Sequence, residues 1–344
     1  MFGFECRIVE RLDRYEKPQV EALLQRSGLI FEGRPDCTAI AEGPDEKIAA
    51  TASLKDGVIK MVAVGDEWQG SGLAGTVISK LTQYAAERGI FHLFIFTKPD
   101  MASKFTAIGY SELARTERAV LLESGMPSVT EYKNMLRAHK AKGLCGASVM
   151  NCDPFTLGHR HLIETTAKHC DTFYVIVVQE DVSAFPFKDR INLVKRGTED
   201  IKNVQVLPSG DYAVSRATFP TYFLKDRAAD AVTATQAELD ATLFANVFVP
   251  ALSLKKRFVG TEPFSPATHE YNKMLKKVLP AHGVEVVELS RITDKSGKAV
   301  SASRVREAIK KGNETLLADL LPEVTLDYLA SEDGETAVEA LRLS

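Results

Sequence analysis

Six consecutive apolar residues, Phe173-Tyr-Val-Ile-Val-Val178, constrain this chain more than any other stretch. A strand wetted on one face alternates apolar and polar positions, whereas a run apolar at every position is covered on both faces, as in a parallel sheet between helices. The preceding residues complete such a unit. Leu144-Cys-Gly-Ala-Ser-Val-Met150 reads as a buried strand, a polar turn follows, and a helix is expected from about Gly158 to Cys170. Later segments continue the plan with strands at Val204–Leu207, Phe258–Val259 and Val284–Leu289, a helical pattern over Ala228–Leu243, and a helix opening near Ser301. The closing SEDGETAVEALRLS is expected to include a mobile end.

One such unit does not use up 344 residues, and two domains are expected. Residues 1–123 read as mixed strands and helices: a strand at Val58–Val64, a glycine-rich turn at Gln69–Gly75, an amphipathic helix over roughly Thr76–Arg88, and a strand at Phe91–Phe96. Residues 124–143 carry Gly, Pro and Ser, then a short basic helical pattern, and read as a linker to a second domain over 144–344. Both domains are therefore α/β.

Composition excludes several function classes. With 45% hydrophobic and 26% charged residues, the chain is neither disordered nor fibrous. Its 43 basic and 46 acidic residues leave a net charge of −3, too little for a global field that holds nucleic acid or an anionic membrane, so no partner of either kind is expected. The charged N-terminus and the absence of any run near ~18 apolar residues point to a cytoplasmic address. Five scattered cysteines with no C-x-x-C pair read as free thiols, and no protein-held metal site is expected.

The turn Asn151-Cys-Asp-Pro-Phe-Thr156-Leu-Gly158-His159 leads from a buried strand into a helix. A helix N-terminus presents unpaired N–H groups and roughly half a positive charge, which attract phosphate. Gly158 permits close backbone approach, and Thr156 and His159, three residues apart, face the same side. Both can donate to a phosphoryl oxygen that gains charge. Alone, T-x-G-H is equally a capped helix with a surface histidine; its place at the carboxyl edge of a parallel sheet favours a ligand site. His161 and His169 read as surface or packing residues.

A second signal is Val300-Ser301-Ala-Ser303-Arg-Val-Arg306, which opens a helix and is also an ordinary N-cap. Between the two lies Val259-Gly260-Thr-Glu262 at a strand end. In the first domain, Gln69-Gly70-Ser-Gly72-Leu-Ala74 is a glycine-rich helix start suited to a pyrophosphate.

These segments carry a resemblance. The T-x-G-H turn, the serine–arginine helix start and Phe185-Pro-Phe-Lys-Asp-Arg190 resemble the [HT]-x-G-H nucleotidyltransferase superfamily, which implies a Rossmann-like second domain. One departure is the lysine that several relatives carry after the second strand: here that place reads Gln179-Glu-Asp-Val182, and Lys188 is the nearest substitute. The Gln69–Ala74 turn and Phe105-Thr-Ala-Ile-Gly-Tyr110 resemble the GCN5-related acetyltransferases. Phe105 stands where many members have a tyrosine acid, and phenylalanine cannot protonate a thiolate.

The fusion order, with SRATFPTYFLKD (215–226) and RFVGTEPFSPATHEYN (257–272), resembles the [citrate (pro-3S)-lyase] ligase family. That resemblance implies an AMP-forming acid–thiol ligase that activates acetate with ATP and Mg²⁺ and acetylates the prosthetic-group thiol on the acyl-carrier subunit of citrate lyase. It implies that Thr156 and His159 act on the α-phosphate, and that Asn151, Gly158, Gly260, Glu262, Ser301, Ser303 and Arg306 hold ATP. Gln69, Gly70, Gly72 and Ala74 would bind a coenzyme A-type group, and Arg216 would contact acetate or the carrier. Two alternatives stay open: an adenylyltransferase joined to an acetyltransferase, and a non-catalytic coenzyme A and ATP sensor.

Overall fold

A computed structural model describes residues 3–43, 47–179, 183–213, 219–225, 228–261 and 266–343. The chain folds as two compact units, Met1–Tyr132 with Val214–Leu243, and Lys133–Ala213 with Phe244–Ser344. This grouping differs from the linear division at 123 and 144. Residues 214–243, which follow a strand of the second unit, belong to the first, because the aromatic side chains Phe219, Tyr222 and Phe223 are buried there.

In chain order the first unit contains β1 (Glu5–Val9), α1 (Glu16–Arg26), β2 (Cys37–Glu42), β3 (Ile48–Lys55), β4 (Val58–Val64), α2 (Leu73–Ala86), β5 (His92–Thr97), α3 (Ala102–Thr106), β6 (Ser111–Arg115) and β7 (Val120–Gly125). The helix α4 (Val129–Ala138) occupies the expected linker. The strands form one sheet in the order β1-β2-β3-β4-β5-β7-β6, antiparallel throughout except for β4 beside β5. That parallel pair is short, joining Val58 to Phe94 and Ile59 to Ile95. Helix α2 buries Leu73, Val77, Ile78, Leu81 and Ala85, spaced three and four apart, against the sheet. It starts at Leu73, ahead of the expected Thr76, because Gly72 in a left-handed conformation (φ 85°) ends the turn and caps it. Phe105 lies in α3 and is buried in the same core.

The second unit follows with β8 (Cys145–Met150), α5 (Leu157–Ala167), β9 (Thr172–Val177), α6 (Phe187–Arg196), β10 (Val204–Pro208), α7 (Ala229–Leu252), β11 (Leu254–Gly260), α8 (Pro266–Val278), β12 (Glu285–Leu289), α9 (Ala302–Lys311), α10 (Glu314–Leu320), α11 (Glu323–Leu329) and α12 (Glu332–Leu343). Residues 244–252 of α7 belong here. The sheet order is β10-β9-β8-β11-β12, with every pair parallel. Phe173 to Val177 of β9 have no exposed surface, the condition their unbroken apolar sequence anticipates. The strand order reverses at β8 and β11, and between their carboxyl ends lies the crevice where open α/β sheets take ligands.

The C-terminal residues differ from expectation. Glu332–Leu343 is helical and seats Ala337 and Leu341 in a cluster with Val305, Ile309 and Leu320. Its apolar positions 337, 338 and 341 form one face, a period that the many polar residues between them obscure. Leu341→Ala is expected to destabilise the second unit by ~2–5 kcal/mol, the usual loss for a buried leucine. Urea unfolding checks it; an unmoved midpoint would mean that α12 is not docked.

Candidate active site

The crevice between β8 and β11 opens into a cavity of about 400 Å³. Asn151, Thr156, Gly158, His159, Gly260 and Ser301 line it together, though they come from three separate stretches of chain. Each stretch is held by identifiable contacts.

The turn after β8 is anchored by Asp153. Its carboxylate accepts from the Phe185 amide at 2.8 Å and the Ala184 amide at 3.2 Å, and from Arg306 Nη1 at 3.2 Å. Arg306 Nη1 also donates to the Asp153 carbonyl at 2.5 Å, and Nη2 lies 3.4 Å from Ser303 Oγ. Arg306 thus fastens the first turn of α9 to the turn before α5. Neither Ser303 nor Arg306 is among the residues lining the cavity. Gly158 serves the same junction: a Cβ there would stand 3.0 Å from the Val300 carbonyl, so its lack of a side chain lets α5 and the approach to α9 meet.

Thr156 is the N-cap of α5 and is 1% exposed. Its Oγ1 accepts from the His159 amide at 3.3 Å, while the Thr156 amide donates to His159 Nδ1 at 3.1 Å. This is a capping box with histidine in the place usually taken by Glu or Gln. Because Nδ1 accepts that amide, the hydrogen-bond pattern assigns the ring proton to Nε2, on the opposite edge of the imidazole. The Thr156 hydroxyl lies 3.0 Å from the same Nδ1 and can donate to it. Thr156 therefore orients the ring. Phe155 stacks on His159 with planes 14° apart and centroids separated by 6.1 Å. Burial, and then the charge of Arg291, push the histidine pKa down to about 4. At neutral pH His159 is an uncharged donor.

The remaining expectations divide. Ser301 caps α9 through the Arg304 amide at 3.4 Å. Asn151 exchanges hydrogen bonds with Ser183 at 3.0 and 3.2 Å. Gly260 gives its carbonyl to Asn272 Nδ2 at 3.0 Å. Glu262 and Arg216 lie outside the described residues, as do Glu180, Asp181 and Val182. Lys188 is exposed and does not line the cavity. One cation that does is Arg291, which the motifs did not indicate; its Nε donates to the Thr261 carbonyl at 2.9 Å, which aims the guanidinium. Arg257 lines the cavity as well, its guanidinium 4.9 Å from the Phe244 ring. His161 also lines it, contrary to the expectation of a surface or packing residue, since the first turn of α5 runs along the crevice. His169 is exposed at the far end of that helix.

The first unit holds the other candidate residues on an exposed turn. Gly70 and Gly72 take φ of 81° and 85°, the left-handed region that favours glycine. Gln69 Nε2 donates to Asp66 Oδ1 at 3.2 Å, and Ala74 lies in the first turn of α2.

Fold and motifs together define a fusion of an acetyltransferase-like unit with a Rossmann-like one. The model of the citrate lyase ligase C-terminal domain matches residues 145–329, and that of FR47-like proteins, an acetyltransferase-like domain, matches residues 39–119. The [citrate [pro-3S]-lyase] ligase of Klebsiella pneumoniae is 39% identical over 94% of this chain and 96% of its own. The protein of that name from Escherichia coli (strain K12) is 38% identical over 96% of this chain and 95% of its own, and that from Haemophilus influenzae 33% over 90% and 94%. The chain belongs to the [citrate [pro-3S]-lyase] ligase family.

The low pKa of His159 has a measurable consequence. A folded-state value near 4, below the ordinary 6.5, contributes stability that is complete above about pH 6.5 and is lost as the pH falls towards 4. In the ligand-free protein, ring ¹⁵N shifts of His159 are expected to report the neutral Nε2–H form at pH 6 and protonation only near pH 4. A midpoint near 6.5 would remove the half-buried, Thr156-oriented ring from the account.

Proposed function

We propose that the chain activates acetate with ATP and transfers the acetyl group to a thiol of citrate lyase, thereby switching that enzyme on. The observation that carries this reading is the Thr156–His159 capping box at the switch point of a parallel sheet, which presents one uncharged N–H donor beside Arg291 in a crevice. Family membership supplies the substrate class, and the alternatives, an adenylyltransferase or a ligand sensor, draw no support from relatives whose printed name is a ligase.

In the first step an acetate oxygen attacks the α-phosphorus of ATP and the bond to the β-phosphate oxygen breaks. Acetyl-AMP and pyrophosphate form. His159 Nε2–H donates to the phosphoryl oxygen that gains charge, which is where a preoriented donor contributes most. Arg291 and the start of α9 at Ser301 offer charge and N–H groups to the phosphates, with Asn151, Gly158 and Gly260 shaping the floor. Arg306 and Ser303 are the residues that position that helix start. Magnesium would enter with the nucleotide, since Mg²⁺ is commonly carried by substrate phosphates. In the second step the thiolate attacks the acetyl carbonyl, AMP leaves, and a thioester remains. The thiol belongs to the prosthetic group of the acyl-carrier subunit, and the Gln69–Ala74 turn of the first unit binds its coenzyme A-like pyrophosphate. A cytoplasmic address is part of this proposal; among the described residues no helix is long and apolar enough to cross a membrane.

ATP–pyrophosphate exchange that depends on acetate tests the first step. His159→Ala is expected to slow it by roughly 10²–10³, about 2.7–4 kcal/mol, without unfolding the protein. Wild-type exchange in that variant would misplace the site. Arg291→Gln is expected to raise the apparent KM for ATP, because its charge acts in the ground state as well as the transition state. An unchanged KM would remove Arg291. With α-phosphate-labelled ATP, the label should end in free AMP; a labelled dinucleotide would establish the adenylyltransferase instead.

A further inference from the structure

Two arginines, Arg257 and Arg291, line the cavity of the second unit, and among its described lining residues there is no aspartate or glutamate. Activation of acetate by ATP brings two separate anions into one place, the phosphates of the nucleotide and the carboxylate of the acid. Arg291 stands in the loop between β12 and α9, beside the helix start where the phosphates are expected. Arg257 is placed differently. It belongs to β11, paired with Ala147 of β8 on one side and Val286 of β12 on the other, and each of the three residues lies three positions before the end of its strand. At about 3.3 Å per residue, its backbone sits roughly 10 Å behind the strand ends at which the helix starts converge. That inner place suits the smaller of the two anions.

Arg257 is 2% exposed, so its guanidinium belongs to the interior and not to the rim. The strand that carries it is fixed: Ser148 Oγ of β8 donates to the Phe258 carbonyl at 2.7 Å, next to the ladder pair of Arg257 with Ala147. Phe258 turns into the core beside Phe173 and Ile163, and alternation along a strand sends Arg257 to the opposite face of the sheet. There the guanidinium carbon lies over the Phe244 ring, 4.9 Å from its centroid. A guanidinium over a ring spends its face on the ring and directs its N–H groups outward in its own plane. Two such N–H groups side by side match the two oxygens of a carboxylate.

We infer that Arg257 is the residue that binds the carboxylate of the acid substrate, so that acid and nucleotide are held by different arginines in one cavity. The inference rests on the ligase reading of that cavity. Each carboxylate oxygen has more than one lone pair: one accepts from the guanidinium, and another on the same acetate forms the bond to the α-phosphorus as the bond to the β-phosphate oxygen breaks and pyrophosphate leaves. The guanidinium keeps its protons throughout, so Arg257 moves none of them. What it contributes is position and charge. With its own charge offset, the carboxylate approaches a triphosphate against less repulsion.

Acetate-dependent ATP–pyrophosphate exchange by the full chain reads the two substrates separately. Arg257→Gln is expected to raise the KM for acetate about tenfold to a hundredfold and to leave that for ATP within about twofold, because a charge-assisted pair is lost from one substrate only. Arg257→Lys keeps the charge without the planar fork and is expected to fall between the glutamine variant and the wild type. Calorimetric binding of a non-hydrolysable ATP analogue, unchanged in both variants, establishes that the cavity is intact; if the glutamine variant does not fold, the lysine variant carries the test. An unchanged KM for acetate would overturn the assignment. So would a parallel rise for acetate and ATP, which is what an arginine that only supports the cavity wall would give. Absence of acetate-dependent exchange in the wild type would instead overturn the ligase reading beneath it.

Discussion

The buried guanidinium of Arg190 is the contact on which the second unit's crevice depends. It has no exposed surface. Nη1 donates to the Asn151 carbonyl at 2.8 Å, to Asn151 Oδ1 at 2.8 Å and to the Val178 carbonyl at 2.7 Å, and Nε donates to the Phe185 carbonyl at 2.9 Å. The last ladder pair between β8 and β9 is Met150 with Val177, so these bonds hold the two strands side by side for one residue past their sheet. A buried charge stripped of its hydrogen bonds is costly enough that the three segments cannot drift apart independently. Asn151 is thereby fixed, and Cys152, at φ 53°, turns the chain sharply from that fixed point towards Thr156.

From there a second constraint carries the order to the other side of the crevice. Asp153 and Arg306 are 153 positions apart, yet the arginine binds both the carbonyl and the carboxylate of the aspartate. The close approach of Gly158 to the Val300 carbonyl presses the same two helix starts together. Two helix N-termini aimed at one space would repel each other through their partial positive charges. The carboxylate of Asp153, set between them, offsets part of that cost. The arrangement is therefore strained towards an anion, which on the ligase reading the nucleotide supplies.

What was legible in the sequence follows from this geometry. The unbroken apolar run of β9 and the turn after β8 are local signals, and Val58–Val64 is the strand that its residues describe. Strands β2 and β3 are masked in the sequence, because Thr38, Thr51 and Ser53 are polar yet buried; Thr38 and Ser53 satisfy each other at 2.9 Å, a pairing visible only once the strands are side by side. Arg291 carries no motif; it reaches the crevice from the loop before Ser301. Tyr222 was out of reach of any local reading. Its place depends on a chain segment entering the first unit from beyond β10.

The division of charge in the crevice bears on how it would work. A histidine held neutral by burial and by Arg291 adds no positive charge to the site, so the repulsion between the two is avoided before the substrate arrives. Arginine holds its charge at every accessible pH and attracts the phosphates of the ground state. The neutral Nε2–H interacts weakly with a resting phosphoryl oxygen and more strongly as that oxygen gains charge. Only the second kind of contact lowers the barrier relative to the bound substrate. Thr156, with its amide and hydroxyl committed to Nδ1, keeps the imidazole from turning over to present an acceptor instead. On this reading the threonine of T-x-G-H acts through the histidine, and the two residues form one donor in two parts.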